Sequence, residues 1–268
     1  MGCNRFHVVL AIAAVTVLAL ATSANAALIG ELGVMDFDLA NGGVNPATGV
    51  AWAAGDQYRL TFHTSTTRDA TSTDINDYNA FVNSVADGSV AFPKLGDGDK
   101  WKVVGSTETV SARTNTGTVT NSDMGIFALD GVTMIATDSD DMWNGFGVRI
   151  PATGVYFSPG YLNEEGGGDS GVNHGVNCAT GSNSNGTIRT FLGGATRVNW
   201  GSSNPNNSSR WALRWDSGNP AAQWRFYAMS DPLTVMEDID TVIPEPSTLA
   251  IWGLGLLGLI GCWRRRTK

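Results

Sequence analysis

The chain has 268 residues and a formal net charge of −8 at neutral pH. This acidic balance argues against nucleic acid and anionic lipid surfaces as partners, because both carry the same sign of charge. The 33 glycines, with frequent serine, threonine and asparagine, predict short strands joined by long polar loops instead of a helical bundle. Cys178 is the one cysteine outside the two chain ends, so we expect no internal disulfide and a buried thiol.

The N-terminus has the three-part layout of a secretory signal peptide. Arg5 supplies a positive charge, an uncharged apolar run covers residues 8–21, and the small residues Ala24 and Ala26 follow. This pattern predicts cleavage after Ala26. The alternative is a retained anchor, but the run is shorter than the ~20 residues that span a bilayer. We therefore predict an exported protein that loses residues 1–26.

The first part of the predicted domain contains a strand, a helix and a second strand. Residues 52–64 include alternating apolar and polar side chains, the period of a half-buried strand. Apolar side chains then recur at helical spacing between a capping residue, Thr73 or Asp74, and a terminating Gly88. Residues 101–104 are apolar enough to predict a further short strand.

The second part of the predicted domain is richer in turns and aromatic side chains. Asp130-Gly131 between two apolar stretches predicts a β-hairpin. Residues 163–185 are rich in glycine, asparagine and serine and predict a long loop, and residues 224–229 predict the closing strand. The domain then spans residues 27–230, and an acidic spacer, residues 231–243, follows it.

Three aspartates form the candidate metal site. Calcium takes six to eight oxygen ligands, and closely spaced aspartates on a turn can supply several of them. Asp138, Asp140 and Asp141 fit this description, although the surrounding residues lack the full EF-hand pattern. Calcium is the predicted cofactor, and a solvated acidic loop is the alternative.

A serine loop raises the alternative of an extracellular hydrolase. Gly168-Asp169-Ser170-Gly171 resembles the nucleophile loop of trypsin-like proteases. Such an enzyme also needs a positioned histidine base and a buried aspartate, and His63 and His174 are the histidines of the domain. Because a glycine-rich loop explains the match more simply, we predict a non-catalytic domain.

The C-terminus combines a proline-flanked glutamate, an apolar stretch and a basic cluster. The apolar stretch predicts a short transmembrane helix. The basic cluster should stay in the cytoplasm, which leaves the bulk of the chain outside. Two prolines keep the preceding segment extended and out of the helix. In chain order the parts are Pro244, Glu245 and Pro246; residues 248–263; and Arg264, Arg265 and Arg266.

These three parts, in this order, resemble the PEP-CTERM sorting signal over residues 244–268. The resemblance implies that a membrane-embedded exosortase recognises Pro244, Glu245 and Pro246 and cleaves the tail near them. It further implies a bacterium that makes exopolysaccharide. The protein is then sorted to the cell envelope or secreted, with a single-pass membrane intermediate before processing.

The domain itself resembles a bacterial C-type-lectin-like domain over about residues 57–230. The resemblance rests on the order of several short sequences and departs from the family at Ala228, where a cysteine of the terminal bridge is expected. It implies an α+β fold with short strands, one clear helix and long loops, and an all-β sandwich is the alternative. The sequences include Phe62-His63-Thr64-Ser65, Trp101-Lys102, Leu129-Asp130-Gly131 and Arg225-Phe226-Tyr227.

A ligand site follows from the same resemblance. Asn204-Pro205-Asn206 is similar to the Glu-Pro-Asn sugar-and-calcium motif of C-type lectins, with Trp215-Asp216 as a degenerate partner. It implies Asn204 and Asn206 as ligand residues and an extracellular polysaccharide as partner. A polar turn is the alternative, since Asn-Pro is common in turns. We expect the tryptophans of this region mainly in the core, with sugar platforms as the alternative.

Overall fold

The computed structural model describes most of the chain between the two ends. The described residues are 27–120, 122–144, 162–168, 176–202, 211–213 and 215–238. Nearly all of them belong to one compact unit, Leu28–Met236. The remaining unit, made of the two chain ends, lies almost wholly outside the described residues.

The described residues form ten short strands, three α-helices and one 3-10 helix. The 3-10 helix is Ala40–Gly43, and the α-helices are α1 (Ile75–Asp87), α2 (Ala112–Asn115) and α3 (Ser139–Met142). The strands are β1 (Leu28–Gly30), β2 (Gln57–His63), β3 (Trp101–Val103), β4 (Gly125–Ala128), β5 (Met134–Ala136), β6 (Asn177–Ala179), β7 (Val198–Ser202), β8 (Trp215–Gly218), β9 (Tyr227–Ser230) and β10 (Leu233–Glu237).

The strands assemble into two sheets. The larger sheet has seven strands in the order β1-β10-β2-β4-β5, with β9 pairing with both β2 and β3. β4 pairs with β2 in parallel, whereas β10 and β9 pair with β2 antiparallel and β5 pairs with β4 antiparallel. The smaller sheet has the order β6-β7-β8. The fold is thus mostly sheet with few helices, compatible with the predicted α+β class and with the all-β alternative.

The central strand β2 is buried on both faces, so the prediction of a half-buried strand was wrong. Every residue of β2 after Gln57 is buried, because β10, β4 and β9 pair along it and side chains cover both faces. Arg59 is only 3 % exposed. Its Nη1 donates to the carbonyl oxygens of Thr116 at 3.0 Å and Ser230 at 2.8 Å. Burial lowers the pKa of Arg59, and the negative charge of Asp231 opposes that shift.

Helix α1 confirms the predicted helix and its caps. The Asp74 side chain accepts a hydrogen bond from the backbone of Asn76, and Gly88 ends the helix. Two asparagines of the helix bind the backbone of β3: Asn83 Oδ1 accepts from Trp101 N, and Asn79 Oδ1 accepts from Val103 N. These bonds satisfy polar groups at the edge of β3, which would otherwise lie unpaired.

Several other expectations can be compared with the strands. The predicted strand at 101–104 and the hairpin around Asp130-Gly131 are confirmed by β3 and by the β4–β5 pair. The predicted loop at 163–185 was partly wrong, because it contains β6. The predicted closing strand was also incomplete, since β10 follows β9 and pairs with β2. The proposed acidic spacer therefore begins with a strand of the main sheet.

Candidate functional site

Two tryptophans of the smaller sheet and one that follows β8 in the chain form what we call the tryptophan row: Trp200, Trp215 and Trp224. Trp215 of β8 lies opposite Trp200 of β7 in the strand register. The rings of Trp200 and Trp224 have centroids 6.1 Å apart at an interplanar angle of 31°. Trp215 is 54 % exposed, whereas its two companions are half-buried. The row thus consists of one exposed indole, that of Trp215, and two half-buried indoles, those of Trp200 and Trp224.

A glycine makes room for the row. A Cβ atom added to Gly218 would lie 2.8 Å from Cζ2 of Trp224 and 3.0 Å from Cδ1 of Trp200. Both distances are shorter than ordinary carbon contacts, so any side chain here would displace the rings. A register shift between Val198 and Trp200 sets the pairing that places Trp200 opposite Trp215. Trp224 is further fixed because its Nε1 donates to the carbonyl oxygen of Asn219 at 2.8 Å.

A polar pair follows the exposed indole of Trp215 along β8. Arg189 and Asp216 form an ion pair of 3.5 Å, and both side chains are about half exposed. Nη1 of Arg189 also donates to Oδ1 of Asn183 at 3.3 Å. An exposed aromatic surface with adjacent hydrogen-bonding groups suits a ligand that has both apolar faces and polar edges.

The other tryptophans of the described region differ from the row. Trp52, Trp101, Trp143 and Trp211 are buried, and of these Trp211 belongs to the last part of the domain, where we expected the tryptophans mainly in the core. Trp143 and Trp211 pack at a centroid distance of 5.3 Å, and Nε1 of Trp143 donates to the hydroxyl of Thr118. Sequence reasoning named Trp215 as part of a ligand site and gave sugar platforms as the alternative for the tryptophans of this region, but it missed Gly218. The signal in the sequence that pointed to this surface was Trp200, an aromatic residue within a polar stretch.

The three aspartates proposed for calcium are engaged in local contacts. Asp138 caps α3 by accepting from the backbone of Asp141 at 2.8 Å. Asp141 in turn accepts from the backbone of Thr137 at 3.0 Å, and Asp140 forms an ion pair with Arg113 at 3.0 Å. Within the described ranges, no group of three or more His, Cys, Asp or Glu side chains is arranged to hold a metal ion. The carboxylates therefore cap a helix turn and pair with an arginine instead of converging, and calcium binding here stays a prediction.

The residues named for the hydrolase alternative are not brought together by the described structure. His63 is 1 % exposed within β2, where its backbone N–H donates to the carbonyl oxygen of Leu162. Ser170 and His174 lie outside the described residues. Cys178 lies buried on β6, which confirms its predicted burial.

The other predicted functional residues lie outside the described residues. These are the signal-cleavage residues Ala24 and Ala26, the ligand residues Asn204 and Asn206, the tail residues Pro244, Glu245 and Pro246, the helix 248–263, and Arg264, Arg265 and Arg266. The part of the chain that is described contains no helix with the length and apolar character required to cross a membrane.

Comparison with known families decides the nature of the C-terminus. Residues 242–266 match the PEP-CTERM protein-sorting motif. The chain carries a PEP-CTERM motif. This match confirms the resemblance drawn from the proline pair, the apolar stretch and the arginine cluster. A PEP-CTERM motif indicates an exported protein that an exosortase recognises and sorts to the cell envelope or outer surface. No curated protein matches the chain.

Proposed function

We propose that this protein is an exosortase substrate whose domain binds extracellular polysaccharide through the tryptophan row, without catalysis. The tail determines where the protein acts, and the row is the described surface best suited to a ligand. The observation that carries the binding proposal is the exposed indole of Trp215, placed opposite Trp200 on neighbouring strands.

The chemistry of the row matches that of a sugar polymer. Sugar rings have apolar C–H faces that pack on indole rings and hydroxyl edges that form hydrogen bonds. The row supplies the indole surface, while Asp216 at the next position of β8, with Arg189 and Asn183, supplies polar groups in the same part of the domain. Because the chain carries a net charge of −8, its overall charge favours a neutral or basic polysaccharide.

The fold and the tail extend this proposal. The order of β2, the capped helix α1, β3 and the β4–β5 hairpin supports a C-type-lectin-like domain, with Asn204 and Asn206 as further ligand residues. Calcium at Asp138, Asp140 and Asp141 is a separate part of the proposal. Residues 248–263 cross the membrane in an intermediate that exists until exosortase cleaves the tail.

Binding is tested with the exported protein and an array of polysaccharides, with and without excess chelator. We expect Trp215→Ala to weaken binding about tenfold or more, because a ring at a central contact is removed. Val119→Ala is the matched control, since Val119 is an exposed apolar residue on a different part of the domain, 59 % accessible. Equal affinity of the wild type and the Trp215→Ala variant for polysaccharide would show that the tryptophan row is not the binding surface. Loss of binding in chelator would support the calcium site.

Sorting is tested by deleting residues 244–268. The shortened protein should still be exported but should no longer reach the destination of the full chain. An unchanged destination would show that the tail does not direct sorting. Triple substitution of Arg264, Arg265 and Arg266 by glutamine tests separately whether the basic cluster holds the end of the tail in the cytoplasm.

A further inference from the structure

The stretch of chain that builds the smaller sheet has a charge opposite to that of the whole protein. From residue 176 to residue 230 the sequence contains no lysine, and Asp216 is the one acidic residue. The arginines of this stretch are Arg189, Arg197, Arg210, Arg214 and Arg225. The stretch is therefore basic, although the chain as a whole carries a net charge of −8. Arg210 and Arg214 lie outside the described residues.

The other three arginines lie on or next to the elements that carry the tryptophan row. Arg197 is exposed and directly precedes β7. Arg225 is half-buried and directly follows Trp224 in the chain. Arg189 is paired with Asp216, which belongs to β8. The described positive charges of this stretch thus surround the part of the domain in which the row lies.

The segment that pairs with Trp224 adds one charge of each sign. The backbones of Arg68 and Trp224 exchange two hydrogen bonds, of 3.0 and 2.8 Å, so Arg68 and its neighbour Asp69 pass beside the row. The Asp69 carboxylate accepts hydrogen bonds from the backbone and the hydroxyl of Thr71. Because the charges of Arg68 and Asp69 cancel, the positive sign of the smaller sheet is retained.

Arg189 is placed to bind a carboxylate of a ligand. Its Nη1 donates to Oδ1 of Asn183 at 3.3 Å, and its Nη2 lies 3.5 Å from Oδ2 of Asp216. A guanidinium has further N–H donors beyond these two contacts. The Arg189 and Asp216 side chains are 45 % and 50 % exposed, so a ligand can reach both. An exposed ion pair of this kind contributes little to stability, and a ligand carboxylate can share Arg189 with Asp216.

The charges nearest the ligand determine which polysaccharide binds. At physiological ionic strength, exposed charges that are more than ~8 Å apart are largely screened from each other. A ligand on the row therefore responds to the side chains around it more than to the net charge of the whole chain. Arginine is the side chain best suited to carboxylates, because its planar guanidinium donates paired N–H groups to both oxygens.

We infer that the ligand of the tryptophan row is an acidic polysaccharide, whose sugar residues carry carboxylate groups. This inference rests on the proposed binding function and narrows its substrate class. Arg189 is the specificity-determining residue and donates to a ligand carboxylate, while the indole of Trp215 packs on the face of a sugar ring. Asp216 opposes binding, because it competes for Arg189 and repels the ligand. The local charge thus reverses the preference that the net charge of the chain gives.

Matched pairs of polymers test the charge of the ligand. The exported protein is titrated with polygalacturonate, alginate and hyaluronate, each compared with its methyl-esterified form, in which the carboxylates are neutral. We expect at least one acidic polymer to bind about tenfold more tightly than its ester, the contribution of one charge-assisted hydrogen bond. Acidic polymers that bind no better than their esters, or binding confined to neutral or basic polymers, would overturn the inference. A protein that binds no polysaccharide at all would instead contradict the proposed binding function.

Charge removal at the ion pair gives a second readout with opposite signs. Arg189→Gln should weaken binding of the acidic polymer about three- to tenfold, and Asp216→Asn should strengthen it about two- to fivefold. The gain in Asp216→Asn cannot come from impaired folding. Lys94→Gln and Asp97→Asn remove the same charges at exposed residues outside the smaller sheet and should leave the affinity unchanged. Weaker binding in Asp216→Asn, or equal effects in the control variants, would contradict the assigned role of Arg189.

Discussion

The two sheets of the domain differ in how they treat polar and aromatic side chains. In the larger sheet, β2 buries both faces, and even Arg59 is enclosed by carbonyl groups. In the smaller sheet, the first three residues of β8 are exposed, and 54 % of the Trp215 surface is accessible to solvent. The larger sheet is thus enclosed along its central strand, while the smaller sheet exposes its strand β8, which is where we propose that ligands bind. Substitutions that separate these two properties test the distinction.

The largest effect is expected for Trp101→Ala in the larger sheet. Trp101 is fully buried, its Nε1 donates to the carbonyl of Leu95 at 2.6 Å, and its ring lies 4.6 Å from that of Phe62. Removing a buried indole should lower the free energy of unfolding by about 3–5 kcal/mol. Denaturant unfolding measures this loss. Trp215→Ala should lower the free energy of unfolding by less than about 0.5 kcal/mol. Equal losses of unfolding free energy in the two variants would show that the two sheets do not differ in this respect.

A smaller stability effect is expected at strand β1, which pairs with β10. A Cβ atom on Gly30 would collide with Oη of Tyr58, so Gly30→Ala should push β1 away from β10 and destabilise the domain by about 1–3 kcal/mol. Hydrogen exchange at residues 233–238 should increase in this variant. Tyr58→Phe removes the colliding oxygen, which makes no hydrogen bond of ordinary geometry to the described residues. The double variant should regain most of the protection, and failure to regain it would argue against a steric cause.

In the smaller sheet, Gly218→Ala should affect binding more than stability. The added methyl group would displace the rings of Trp200 and Trp224, so polysaccharide affinity should fall about as far as in Trp215→Ala. The unfolding free energy should fall by about 1 kcal/mol. Titration of the intrinsic tryptophan fluorescence with polysaccharide measures the affinity. A Gly218→Ala protein that binds normally would show that the row is not the contact surface.

The smallest expected effect is a pH dependence of the stability of the domain through Glu31. Partial burial raises the pKa of Glu31, but the hydrogen bonds from Lys100 and Thr234 outweigh it and lower the pKa below its ordinary value of 4.5. The unfolded chain then binds more protons in this range, so stability is present above about pH 4.5 and is lost as the pH falls through the lowered value. Unfolding measured between pH 3 and 6 should show this loss in the wild type. Glu31→Gln should reduce the change of unfolding free energy with pH. An unchanged pH dependence in this variant would show that other groups cause it.

The sequence was most informative where local chemistry determines structure. Helix α1 was predictable because Asp74, the spaced apolar residues and Gly88 act within one stretch of chain. The β4–β5 hairpin was predictable because Asp130-Gly131 suits a tight turn, and Gly131 has a positive φ of 70°. The PEP-CTERM motif was also predictable, since its three parts are adjacent in sequence.

The remaining features depend on contacts between distant segments. The complete burial of β2 follows from strands that come from both halves of the chain. The tryptophan row depends on the β7–β8 register and on the lack of a side chain at Gly218. A local sequence pattern reveals neither of them. β10 resembled a spacer because its acidic neighbours outweighed the short apolar alternation of Leu233 and Val235.

The account depends above all on the processing of the two chain ends, which mass spectrometry of the native cell-surface protein measures directly. We predict an N-terminus at Ala27 and a C-terminus near Pro244, with residues 264–268 absent. A cell-surface form that retains Arg264, Arg265 and Arg266 would contradict processing by exosortase.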